Sequence, residues 1–128
     1  MGNTVDLLRV WEKYAFLPVA VTEYGSGKTL MVGFVNKESL ALTLKTHKAY
    51  YYYPKEDKVR KKGAYSGNTQ IVRTIKMNCK KDSFLFVVEQ KGTVCRTGSD
   101  TCFIHDVYDF NESKHEKFGR LILDEEDE

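Results

Sequence analysis

The sequence predicts an α+β fold: a strand-dominated single domain with a small number of helices. Three observations lead there. LPVAVTEYGSGKTLMVGFV (17–35) reads as two strands around a turn, and QIVRTIKM (70–77) alternates with the period of a half-buried strand. SFLFVVEQ (83–90) is almost continuously apolar, as a strand covered on both faces would be. No repeat, low-complexity tract or Pro/Gly/Ser linker divides the 128 residues, a length suited to one core.

Each element follows in order. TVDLLRVWEKY (4–14) places Val5, Leu8 and Trp11 at helical spacing, with Thr4 as its cap. Two strands then run around a turn at Gly25, Ser26 and Gly27. Asn36 is a natural N-cap for KESLALTLKT, whose Leu40, Ala41 and Leu44 form an apolar stripe. AYYYY (49–53) reads as a strand ended by Pro54, followed by a basic surface run, KEDKVRKKG. After the strands at 70–77 and 83–90, CFIHDVYDF (102–110) is expected to add another. The last 18 residues are expected to form a short helix and an exposed end, with the domain closing near residue 118 and residues 119–128 an acidic tail.

Composition removes several function classes. Apolar residues make up 41% and charged residues 30%, which is a globular and not a disordered balance. The net charge of +2, from 20 basic and 18 acidic residues, gives no field that argues for nucleic acid. No apolar run reaches the roughly 18 to 20 residues of a membrane span, so no membrane partner is expected. MGNTVDLLRV shows no secretory signal, and Asp6 stands where a myristoylation pattern wants Ser or Thr. A cytoplasmic location is the expectation.

Three cysteines without an export signal argue against a disulfide framework. The residues alone leave two other readings, packed core thiols or metal ligands. Cys95 and Cys102 flank a turn that contains Gly98, which lets two thiols converge, while Cys79 adjoins Lys80 and Lys81, whose charge favours a thiolate. GSGKT (25–29) is not a phosphate-binding P-loop. Its upstream glycine is replaced by Thr22, and a strand follows it where a helix should open.

With these segments in view, the chain resembles the phosphoribosyl-AMP cyclohydrolase family over roughly residues 15–105. NCKKD (78–82) and CRTGSDTCF (95–103) keep the family's cysteine spacing. LMVGFVNKESLALTLKT, KKGAYSGNTQ and VEQKG match its upstream landmarks in the same order. The resemblance implies zinc (Zn2+) on Cys79, Cys95 and Cys102, and an intertwined homodimer whose metal site draws on both chains. It implies hydrolytic opening of the adenine ring in a nucleotide substituted on its ring nitrogen, a step of histidine biosynthesis. Magnesium (Mg2+) near the substrate phosphates belongs to the same pattern.

The departures fall on that chemistry. Where the family has three magnesium aspartates, this chain has Asn78, Lys80 and Asp82, a poor set for a divalent cation. The family's histidine after the second zinc cysteine is Arg96, which holds its proton too tightly to be a base. An acid of the family is lost at Ala64, and its arginine-rich segment has become Tyr53-Pro54-Lys55-Glu56. Lys62, Lys80, Asp82 and Arg96, with the Ser66-Gly67-Asn68 turn, are the expected substrate contacts. Arg96 and His47 are the candidate catalytic groups, His47 standing where the family usually has glycine. Two further readings follow from the departures. One is a relative retuned to another such nucleotide, of which cyclic ADP-ribose-type signals are an example. The other is a non-enzymatic fold-mate whose structural zinc is closed by His105.

Overall fold

A computed structural model describes residues 5–111. The elements are α1 (Leu7–Lys13), β1 (Phe16–Glu23), β2 (Thr29–Asn36), α2 (Lys37–Thr46), β3 (Tyr50–Tyr53), β4 (Lys58–Lys61), β5 (Gln70–Met77) and β6 (Phe84–Gln90). Four strands form a sheet in the order β2-β1-β6-β5, and β3 and β4 form a separate hairpin. Within the sheet β1 and β6 are parallel, while β1–β2 and β5–β6 are antiparallel. The α+β class is as the sequence predicts. The expected C-terminal helix and acidic tail lie outside the described residues.

Alternation decides the core. Leu17, Val19 and Val21 of β1 and Phe84, Phe86 and Val88 of β6 all point to one face, where they are buried with Val35, Leu40 and Tyr51. The intervening Leu85 and Val87 are only half-buried, and Val32 and Phe34 of β2 are exposed. β6 is thus covered on one face in a single copy of the chain, not on both as its composition suggests. Its second apolar face, continuous with that of β2, stands open.

The helices differ from the sequence reading in detail. Asp6 caps α1, its carboxylate accepting from the Leu8 N–H at 3.1 Å. Thr4, the expected cap, is outside the described residues. The buried residue of α1 is Val10, flanked by Leu7 and Trp11, whereas Leu8 is 66% exposed. Of the expected stripe, Val5 and Trp11 pack against the core, Trp11 stacking on Phe84, and Leu8 alone faces outward, its place taken by Leu7 and Val10. Asn36 caps α2 as expected, in a reciprocal capping box with Ser39. Of the expected stripe only Leu40 is buried. Thr43 joins it through its hydroxyl, which accepts from the Tyr50 N–H at 3.0 Å, and Ala41 and Leu44 face outward.

Two further differences concern the basic run and the cysteine segment. KVRK (58–61) forms β4, paired with the tyrosines of β3. Residues 102–110 form no strand. The Ile104 N–H bonds back to the Cys102 carbonyl at 3.1 Å, a tight turn that an extended ladder does not allow. GSGKT is the β1–β2 hairpin turn, with Gly25 and Gly27 both at positive φ.

Candidate active site

The thiols fall into two groups. Cys95 and Cys102 lie together on the loop that leaves β6, which is pinned to the start of β2. There the Cys102 N–H bonds to the Leu30 carbonyl at 2.8 Å and the Thr101 hydroxyl to the Thr29 carbonyl at 2.8 Å. Lys28 and Asp100 close the same junction at 2.6 Å, and that ammonium holds the Asp100 carboxyl below its usual range. Within the loop the Cys95 N–H bonds to the Ser99 carbonyl and the Gly98 N–H to the Cys95 carbonyl, a turn that brings the two thiols into contact.

Electrostatics separates the pair. The Thr97 hydroxyl donates to Cys95 Sγ at 3.1 Å and, with the Thr97 N–H, holds the Cys95 thiol below its ordinary value. The Lys62 ammonium acts in the same direction. Burial pushes the Cys102 thiol up, and the neighbouring Cys95 adds to it. One sulfur thus gives up its proton more readily than an ordinary thiol, and the other less readily.

Cys79 is elsewhere. It sits in the turn between β5 and β6, before β6 begins, whereas Cys95 follows the end of β6. Seven extended residues separate the two ends by roughly 20 Å or more. Among the described residues no three His, Cys, Asp or Glu side chains converge, so His105 does not complete a cluster with Cys95 and Cys102. The donor set of paired thiols, one of them favoured as a thiolate, fits zinc. The third thiol cannot join them within one chain.

The other predicted contacts divide between the same two ends. Lys62 reaches the Cys95 end, its Nζ bonding to the Val94 carbonyl at 2.8 Å. Arg96 is exposed beside Cys95. The Ser66-Gly67-Asn68 turn is also there: a Cβ on Gly63 would come within 2.4 Å of the Asn68 backbone, and one on Gly92 within 2.3 Å of the Asn68 side chain. Gly67, Asn68 and Thr69 spend their N–H groups on the Gly63 carbonyl, the Ser66 hydroxyl and the Gly67 carbonyl. A ligand at this turn would therefore meet chiefly side chains. Lys80 and Asp82 flank Cys79 at the other end. His47 is the C-cap of α2, at φ 64°, and lines a shallow hollow with Thr43, Leu44 and residues 72–75. That left-handed conformation favours glycine.

A buried polar chain was missed in the sequence. The Tyr51 hydroxyl donates to Gln70 Oε1 at 2.5 Å, and Gln70 Nε2 donates to Gln90 Oε1 at 2.9 Å. Gln90 Nε2 in turn reaches the carbonyls of Asn68, Lys91 and Thr93. Both glutamines lie in matched segments, KKGAYSGNTQ and VEQKG, so the signal was present: two amides at the edges of strand-forming runs. They tie the core to the two loops that carry Asn68 and Cys95.

Comparison with known proteins decides the family. Residues 31–104 match the family model for phosphoribosyl-AMP cyclohydrolase. The chain belongs to the phosphoribosyl-AMP cyclohydrolase family. It is 41% identical over 98 residues to the phosphoribosyl-AMP cyclohydrolase of Streptococcus thermophilus, covering 77% of this chain and 88% of that protein. With the Chloroherpeton thalassium cyclohydrolase it shares 39% identity over 109 residues, 85% of this chain and 77% of that protein. The histidine biosynthesis bifunctional protein of Helicobacter hepaticus is 40% identical over 93 residues, 73% of this chain. The chain spans about two fifths of the length of such bifunctional relatives, 40% in this case and 42% for that of Wolinella succinogenes. The matched region contains both thiol groups, the Ser66-Gly67-Asn68 turn and the glutamine chain.

Proposed function

We propose that this chain is a hydrolase that opens the adenine ring of phosphoribosyl-AMP, at a site completed by a second copy of itself. The observation that carries the reading is the family match across the whole thiol-bearing region, together with the two-ended placement of the thiols. Cys95 and Cys102 of one chain, with Cys79 of a partner copy, would hold zinc. Bound there, zinc supplies Lewis-acid activation of water near neutral pH. The homodimer is supported by the apolar surface that one copy leaves open. Val32 is 54% and Phe34 38% exposed, and a hollow of about 560 Å3 between them and Tyr51–Tyr53 has few polar walls.

The chain's own residues take the remaining roles. Thr97 and Lys62 favour loss of the Cys95 proton. Arg96, beside the thiols, is suited to a phosphate or to charge developing on the substrate, since a guanidinium binds anions and does not accept protons. Ser66 and Asn68 offer side-chain hydrogen bonds to the sugar-phosphate. His47 carries an imidazole, the side chain suited to proton transfer at neutral pH, and is the candidate base.

The test is ring opening followed in the ultraviolet. Zinc-loaded protein incubated with phosphoribosyl-AMP should turn it over, and Cys95→Ala should abolish turnover. Zinc-loaded, folded protein that leaves the substrate intact would refute the reading. The retuned-ligand alternative, with cyclic ADP-ribose-type nucleotides as its probes, rests on the departures at Asn78, Lys80 and Arg96 and would then be tested in the same assay.

A further inference from the structure

We propose that the β5–β6 turn takes the substrate's phosphate on the ammonium groups of Lys80 and Lys81, with no magnesium ion bound there. The proposal rests on the phosphoribosyl-AMP reading for the identity of the substrate, but not for the chemistry of the turn. The resemblance implies magnesium at the positions of Asn78, Lys80 and Asp82, and the structure shows that these residues do not fit it.

The side chain at position 78 closes the turn through both its amide nitrogen and its oxygen. Asn78 Nδ2 donates to Asp82 Oδ1 at 2.5 Å, and Asn78 Oδ1 accepts from the N–H groups of Asp82 at 2.9 Å and Ser83 at 3.1 Å. The Lys81 N–H bonds to the Asn78 carbonyl at 3.0 Å, with Lys81 at φ 58°. The single carboxylate at the turn, Asp82, is therefore already partnered by an amide. Magnesium asks for near-octahedral oxygen ligands and gives up its own water reluctantly. One engaged carboxylate, following Lys80 and Lys81 in the chain, offers it neither the ligands nor the charge.

The same arrangement suits an anion. Asn78 engages one Asp82 oxygen, and among the described residues neither Lys80 nor Lys81 is ion-paired, which leaves two ammonium groups on flexible stems, the side chain that meets phosphate as a bare charge. Lys81, Lys76 and Asn78 stand at a hollow of about 710 Å3 floored by Leu40, Ile75 and Phe84. Cys79 lines it too, so a phosphate held at the turn lies beside the thiol that the proposed site requires.

AMP serves as the probe for binding and phosphoribosyl-AMP for turnover, both on the zinc-loaded full chain. Calorimetry should show AMP binding unchanged by millimolar magnesium. Lys80→Met with Lys81→Met should weaken it roughly tenfold or more, the scale of a lost charge-assisted contact. Lys80→Arg with Lys81→Arg should restore most of the loss, which a purely structural role would not predict. Manganese, read by its paramagnetic resonance, should not bind the parent turn and should bind Asn78→Asp with Lys80→Asp. AMP binding that requires magnesium, or that ignores both lysines, overturns the proposal whatever the turnover. Absent turnover with lysine-dependent AMP binding refutes the hydrolase reading alone and supports the turn as an anion site.

Discussion

Removing the amide at Gln70 tests whether the buried polar chain holds the active-site loops. Gln70 and Tyr51 are 0% and 1% exposed, and every buried side-chain polar atom among the described residues has a partner. Tyr51→Phe removes one donor and strands Gln70 Oε1, a cost of about 1–3 kcal/mol. Gln70→Leu removes three hydrogen bonds, one of them a weak contact to the Met31 sulfur, and strands the Tyr51 hydroxyl, for about 2–4 kcal/mol. The double variant leaves two apolar groups facing each other, so neither member of the pair is stranded. It should therefore cost less than the sum of the singles by about 1–2 kcal/mol. Urea unfolding at fixed protein and zinc concentration measures the cycle, with the same m-value required for all four proteins. Gln70→Leu should also weaken zinc binding, because Gln90 then loses the partner that orients it toward Asn68 and Thr93. Additive costs, or a Gln70→Leu penalty within measurement error, would mean that Tyr51 and Gln70 do not act as a unit.

Two other outcomes follow from single positions. Burial pushes the Tyr51 phenol well above its ordinary value, so ionisation above about pH 10 is favoured only in the unfolded chain. The stability this group contributes is present below that pH and lost as pH rises through it; Tyr51→Phe should flatten the alkaline limb of a melting-temperature profile. His47 occupies a glycine-favouring conformation, so His47→Gly should leave stability unchanged or raise it by up to about 1 kcal/mol. If His47 is the base, kcat should fall in that variant while KM holds, and full retention of kcat would remove it from the mechanism.

Much of the fold was legible because it rests on local signals. Asn36 announced α2, Gly25 and Gly27 announced the β1–β2 hairpin, and the period of two in β5 was plain. The failures share a cause in tertiary context. β4 was hidden because KVRK carries its charges on an outer strand, where pairing with the β3 tyrosines matters more than composition. α1 presents Val10 because packing against Phe84 sets its rotation. The cysteine spacing allowed Cys95 and Cys102 to converge, since only six residues and a glycine turn intervene. It could not show that Cys79 lies at the far end of β6, which depends on the strand order. Nor did the lysines around Cys79 reveal that Asn78 had already engaged Asp82.

A site built from two chains can be restored by subunit complementation. Cys79→Ala and Cys95→Ala/Cys102→Ala proteins are prepared separately, then mixed under conditions that allow exchange, and bound zinc and ring opening are measured. Each variant alone should lack a complete three-thiol site, and the mixture should regain both zinc and turnover through hybrids that carry one intact site. A mixture that recovers neither, while unmodified protein does both, would contradict a shared site.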